Sequence, residues 1–142
     1  LVHQKAITFL TLKTQIFMEM PKNALNWFEI PASDFNRAKT FYENILQFQM
    51  HTTEMHGFQM GFFPAEQGLV GGAICHGEGY IPSDKGSVVY LNCFDDLSPV
   101  LARVEKAGGK VVVPKMLITP EIGYCAFFLD TEGNRVALHS MH

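Results

Sequence analysis

The apolar and polar positions of residues 26–46 change period midway. In the first half Phe28, Ile30 and Ala32 alternate with Trp27, Glu29 and Pro31, the two-residue repeat of a strand. In the second half Phe35, Ala38, Tyr42 and Ile45, with Phe41 and Leu46 beside them, form an apolar stripe at helical spacing. Ser33 or Asp34 supplies a side-chain oxygen for the free amides of the first turn, so a strand is expected to pass over a short turn into a capped helix. Three further strands are expected at 48–54, 58–64 and 70–76. Residues 77–86, with Gly, Pro, Ser and Asp, read as a linker. A strand is then expected at 87–94. A helix should follow at 97–107, capped by Asp95 or Asp96, with Leu97, Leu101 and Val104 inward and Gly108-Gly109 ending it. The last strands are expected at 110–118, interrupted at Pro114, at 123–130, and at 135–141 after a tight turn over 130–134.

The order is therefore βαβββ, linker, βαβββ. The two strand–helix pairs superpose without a gap: Asp34-Phe35 on Asp96-Leu97, Ala38 on Val100, Tyr42 on Val104 and Ile45 on Ala107. Ala73 falls opposite Ala137 in the closing strands. One repeat of this length implies two similar modules packed as a pseudo-symmetric pair.

Composition narrows the class. At 142 residues the chain is expected to form one unit with a real core, and 47% hydrophobic against 18% charged residues marks it as globular. A net charge of -3 and no basic run argue against a nucleic-acid partner. No apolar run reaches the roughly 20 residues of a membrane span. Cys75, Cys93 and Cys125 are odd in number and each lies in an expected strand, which suits buried free thiols in a reducing cytoplasm. Residues 1–20 are read as an N-terminal extension whose start need not be native, because Met18 or Met20 just before Pro21 makes a natural beginning. Residues 21–142 then form the domain, with modules at 24–77 and 87–142.

Three stretches, WFEIPASDFNRAKTFYENIL, DDLSPVLARVEKAGGKVV and FFLDTEGNRVAL, together resemble the vicinal oxygen chelate superfamily, which includes glyoxalases, extradiol dioxygenases and bleomycin resistance proteins. The resemblance covers about residues 24–142. It implies an α+β fold of two βαβββ modules whose curved mixed sheets enclose a cleft, with the helices outside. It also implies a homodimer and a small-molecule ligand. Metal-using members carry ligands on the first and last strand of each module. Those positions fall here on Trp27, Ala73, Val89 and Ala137, none of which offers an imidazole, carboxylate or thiolate. No bound metal or other cofactor is therefore expected unless at a displaced site.

Two residues further along each strand, on the same face, lie Glu29, Cys75, Leu91 and His139. Glu29 and His139 read either as an acid/base pair or displaced metal ligands, or as polar anchors that orient a ligand. Trp27, Glu29, Cys75, Val89, Leu91 and His139 are the expected ligand-binding set. Two functions lead: a metal-free small-molecule binding protein, and a lactoylglutathione-lyase-like lyase or isomerase acting next to a carbonyl through Glu29 and His139; a structural or regulatory partner protein is a third.

Overall fold

The computed structural model describes residues 20–142, so the expected N-terminal extension, residues 1–20, lies but for Met20 outside the described residues. The first module contains β1 (Trp27–Pro31), α1 (Phe35–Leu46), β2 (His51–Met55), β3 (Phe58–Phe62) and β4 (Gly71–His76). The second contains β5 (Tyr90–Asn92), α2 (Ser98–Val104), β6 (Lys110–Thr119), β7 (Gly123–Leu129) and β8 (Arg135–Ser140). They form two four-stranded mixed sheets, ordered β1-β4-β3-β2 and β5-β8-β7-β6. In each, the first strand runs parallel to the last and the other pairs are antiparallel. The expected βαβββ repeat is present.

Helix α1 forms where the stripe predicts. Asp34 accepts a 3.0 Å bond from the Arg37 amide, and Gln47 ends the helix in the left-handed region. Its buried side, Phe35, Ala38, Phe41, Tyr42 and Ile45, belongs to one hydrophobic cluster fed by both modules. Ile30 and Ile74 enter it from the first sheet, Leu97, Val100 and Val104 from α2 and the residue before it, and Phe128, Val136 and Leu138 from the second sheet. Phe41 lies 5.8 Å from Phe128, and Gly109 makes room for it: a Cβ there would meet the Phe41 ring at 2.8 Å and the Leu129 carbonyl at 2.7 Å. Burying each such side chain contributes about 1.5–3 kcal/mol, so the shared core is what holds the modules together.

Polar bonds fix the angle between the modules. Tyr42 donates 2.6 Å to Asp130, whose carboxylate also accepts from the Glu132 and Asn134 amides and from the Asn134 side chain. Burial pushes the Asp130 carboxyl up, against the pull of Tyr42 and Asn134. Glu132 reaches the start of α1 and accepts from the Asp34 amide at 2.7 Å, from Ser33 at 3.1 Å, and from Arg37 through both Nε and Nη2.

Three secondary-structure elements depart from the expected ones in ways that matter to the site or the fold. Strand β5 is confined to Tyr90–Asn92, because Phe94 takes φ 56° and stands 81% exposed, which ends the strand. Helix α2 stops at Val104 and begins with Leu97 at the cap position, where no side chain caps it; Asp96 bonds the Ser98 amide from outside the helix. Strand β6 runs through Pro114. It lies at the sheet edge, and its pairing with β7 shifts register on either side of that residue, which spares the missing donor.

Candidate functional site

Strand pairing fixes which side chains share a face. Ile30 and Ile74 face the helices, so Trp27, Glu29, Ala73 and Cys75 face the other way. Phe62, paired with Ala73, and Met60, paired with Cys75, share that open face. It is aromatic: Trp27 is 41% exposed, with its ring 6.0 Å from Phe62. Gly71, opposite Trp27 on β4, would place a Cβ 3.4 Å from the indole, so the ring lies on the strand.

Glu29 does not stand alone there. The hydroxyl of Tyr80, in the linker, donates to its Oε2 in a short bond. Tyr80 also packs edge-on against Phe58 at 5.5 Å. The bond to Glu29, then burial, pushes the Tyr80 phenol well above its ordinary range. Burial, with the Glu29 charge beside it, pushes the Cys75 thiol up to about 12. The result is a carboxylate oriented by a phenol over an inert thiol, next to an aromatic wall.

On the second module's open face, Tyr90 is 51% exposed and meets Phe127 edge-on at 5.7 Å, while the Arg135 guanidinium lies 4.5 Å over that same ring. Tyr90 pairs with Ala137, as Glu29 pairs with Ala73, so these positions correspond. Leu91, expected on this face, instead pairs with Leu138 and is buried in the helix-side core. Val89 packs against that core too. The cause is Phe94: an extra residue between strand and helix puts the gapless superposition one residue out of register, and a one-residue shift moves each side chain to the opposite face. His139 is on β8 beside Asn92, with its Nε2 2.6 Å from the Ile122 carbonyl oxygen. Among the described residues no hydrogen bond or ion pair joins Glu29 to His139, and no aromatic pair joins the two open faces. His76 is half-buried with Nδ1 2.8 Å from the Ala32 carbonyl oxygen.

The fit to a metal follows from the donors. Trp27, Ala73, Val89 and Ala137 supply none, and the register shift, which brings Val88 to the place of Val89, supplies none either. Among the described residues no three His, Cys, Asp or Glu side chains converge on a point where they could hold an ion. No described helix is long and apolar enough to cross a membrane.

A cavity of about 140 Å³ opens at the seam of the modules, between Glu29 and Pro31 of β1, Ser83 and Lys85 of the linker with Ser87 just after it, and Arg135 of β8. Asn134 forms its wall, donating to the Pro31 carbonyl at 2.7 Å and accepting from the Ser83 amide at 3.1 Å. The sequence reading missed Tyr80, Arg135 and the seam.

Comparison with known proteins agrees with this architecture. A family model described as the Glyoxalase/Bleomycin resistance protein/Dioxygenase superfamily matches residues 24–138. A glyoxylase-like domain-containing protein of Didymella fabae is 30% identical over 118 residues, covering 78% of this chain and 88% of its own. Among solved structures, a glyoxalase/bleomycin resistance protein from Albidiferax ferrireducens T118 superposes with a TM-score of 0.66 at 14% identity, over 83% of this chain and 98% of that one. TnmS3, an antibiotic binding protein from Streptomyces sp. CB03234, gives 0.59 at 20% identity, over 86% and 98%. A mutant of glyoxalase I from Zea mays gives 0.62 at 17% identity over 82% of this chain, which spans only 46% of the maize protein. At these identities the solved structures speak for the fold alone. The family model covers most of the chain and both modules, and the chain belongs to the glyoxalase/bleomycin resistance protein/dioxygenase superfamily.

Proposed function

We propose that the chain is a small-molecule binding protein that works without a bound metal, with the open face of its first module as the binding wall. The observation that carries this is Trp27: a large aromatic, 41% exposed on a sheet face turned from the core, with the Glu29 carboxylate two residues along the same face. Aromatic surface with a few oriented polar groups is the usual make-up of a ligand site. The carboxylate suits a cationic or hydroxyl-rich ligand. Among the described residues no helix or strand packs on either open face, so a homodimer that sets the second module of one copy against the first of the other would enclose the ligand. That dimer would bring Tyr90, Asn92 and His139 opposite Trp27 and Glu29. The three cysteines, all free and buried, fit a reducing cytoplasm.

Antibiotic binding by TnmS3, on the same fold, is consistent with this reading. The test is elemental analysis of protein purified without chelators, alongside a Glu29→Gln/His139→Ala double variant, with the oligomeric state from light scattering. The proposal expects a metal-free dimer. Stoichiometric metal that disappears in the double variant would overturn it and would favour a lyase or isomerase built on Glu29 and His139.

A further inference from the structure

The seam cavity carries charges of both signs that do not neutralise each other. Glu29 and Arg135 both line it, yet no ion pair within 4.0 Å joins them. Glu29 is held in place by Tyr80, which occupies one of its two carboxylate oxygens. Arg135 is held by its stack on Phe127 and has no carboxylate partner among the described residues. Lys85, also in the lining, pairs among the described residues with its neighbour Asp84 alone, at 3.5 Å and largely in solvent, an arrangement worth little. Asn134 is used up on the Pro31 carbonyl, the Asp130 carboxylate and the Ser83 amide, so it shapes the wall and leaves recognition to the charged groups. Ser83 and Ser87 add hydroxyls along the linker side.

A cavity lined by a carboxylate and a guanidinium that do not pair with each other is complementary to a molecule that carries both opposite charges. Its volume, about 140 Å³, is close to the roughly 150 Å³ of an engineered cavity that admits benzene, so the enclosed part of the ligand has about six non-hydrogen atoms. We propose that the seam cavity binds a small zwitterion of the amino-acid class, its ammonium on Glu29 and its carboxylate on Arg135, with Lys85 also in the lining. This rests on the reading of the chain as a small-molecule binding protein and names the chemical class of the ligand at the Glu29 end of that site. Arg135 suits the carboxylate because its planar fork can donate two parallel bonds, which a lysine cannot.

The test is a two-dimensional amide NMR titration of the full chain with L-alanine, N-acetyl-L-alanine, which lacks the ammonium, and L-alaninamide, which lacks the carboxylate. The expected result is saturable shifts at Ser83, Ser87 and Arg135 with alanine, at a Kd of about 1 mM for so small a ligand. Both analogues should bind about tenfold or more weakly, and Arg135→Ala should weaken alanine to a similar degree. Arg135→Lys should recover part of the binding, and an unchanged spectrum elsewhere in each variant shows that the fold is kept. Absence of saturable shifts at those amides overturns the proposal, as does equal binding of either analogue. A parallel titration with indole separates this failure from that of the broader reading. Shifts at the Trp27 and Phe62 signals with indole, but none with alanine, would reject the zwitterion site and leave the binding wall standing.

Discussion

Glu132 offers the sharpest test of how the two modules are joined. Its carboxylate ties the hairpin after β7 to the start of α1, accepting from the Asp34 amide, the Ser33 and Thr131 hydroxyls and the Arg37 fork. Burial alone would raise its pKa, but Arg37, the Asp34 amide, Thr131 and Ser33 together hold it down, from an ordinary 4.5 to about 2. Glu132→Gln keeps the shape and removes the charge. A hydrogen bond to a charged group contributes about 1.5–3 kcal/mol when sheltered, and this cluster lies near the surface, so the loss should be about 1–2 kcal/mol at pH 7. The exposed Arg37 fork sets direction more than energy. The pH dependence follows from the depressed value: the unfolded carboxyl takes up a proton near 4.5 and the folded one only near 2. The stabilisation is therefore complete above about 4.5 and is lost as pH falls towards 2. Urea unfolding of both proteins from pH 7 down to pH 3 should show a gap that is full at neutral pH and shrinks below about 4.5. A gap of the same size at every pH, or none at pH 7, would refute this account of the staple.

Three further outcomes follow from other contacts. Tyr42→Phe removes a 2.6 Å bond to a buried carboxylate and should cost about 1.5–3 kcal/mol in urea unfolding, with little change in secondary structure by circular dichroism. Gly123→Ala should destabilise by about 2 kcal/mol or more, since Gly123 has φ +100° and a Cβ there would meet the Ser140 carbonyl oxygen at 2.3 Å; thermal unfolding reads this directly. Cys75 and Cys93, both buried, with burial raising their thiols to about 12 and about 11, should resist a disulfide-exchange reagent at pH 8 in the native protein and react fully in urea.

What the sequence made legible follows from where periodicity reports burial. The α1 stripe and the Asp130–Asn134 hairpin are local patterns, and both formed as read. The paired alanines, Ala73 and Ala137, do hold matching places beside Glu29 and Tyr90. Leu91 and Val89 went to the opposite side from the one expected because a repeat aligned without a gap cannot register one extra residue, and Phe94 is such a residue. Its signal was available, though weak: an aromatic between Cys93 and the Asp95-Asp96 pair has no counterpart before Ser33-Asp34. Tyr80 lies in a linker where no period points a side chain anywhere, and its bond to Glu29 spans 51 positions. The seam has the same character, since β1, the linker and β8 come together through the packing of the helices and through Asn134, whose bonds reach Pro31 and Ser83 across 103 and 51 positions.

Trp27 is the sole tryptophan of the chain, so its emission reports on the binding wall with no background from another indole. The most direct test is to titrate that emission with a panel of planar cationic compounds, in the wild-type chain and in Glu29→Gln. Binding on the open face predicts a saturable change in intensity or wavelength with at least one cation, reduced about tenfold or more in affinity by the loss of the carboxylate. Emission that stays constant across the panel, or a change that Glu29→Gln leaves intact, would contradict a site built from Trp27 and Glu29.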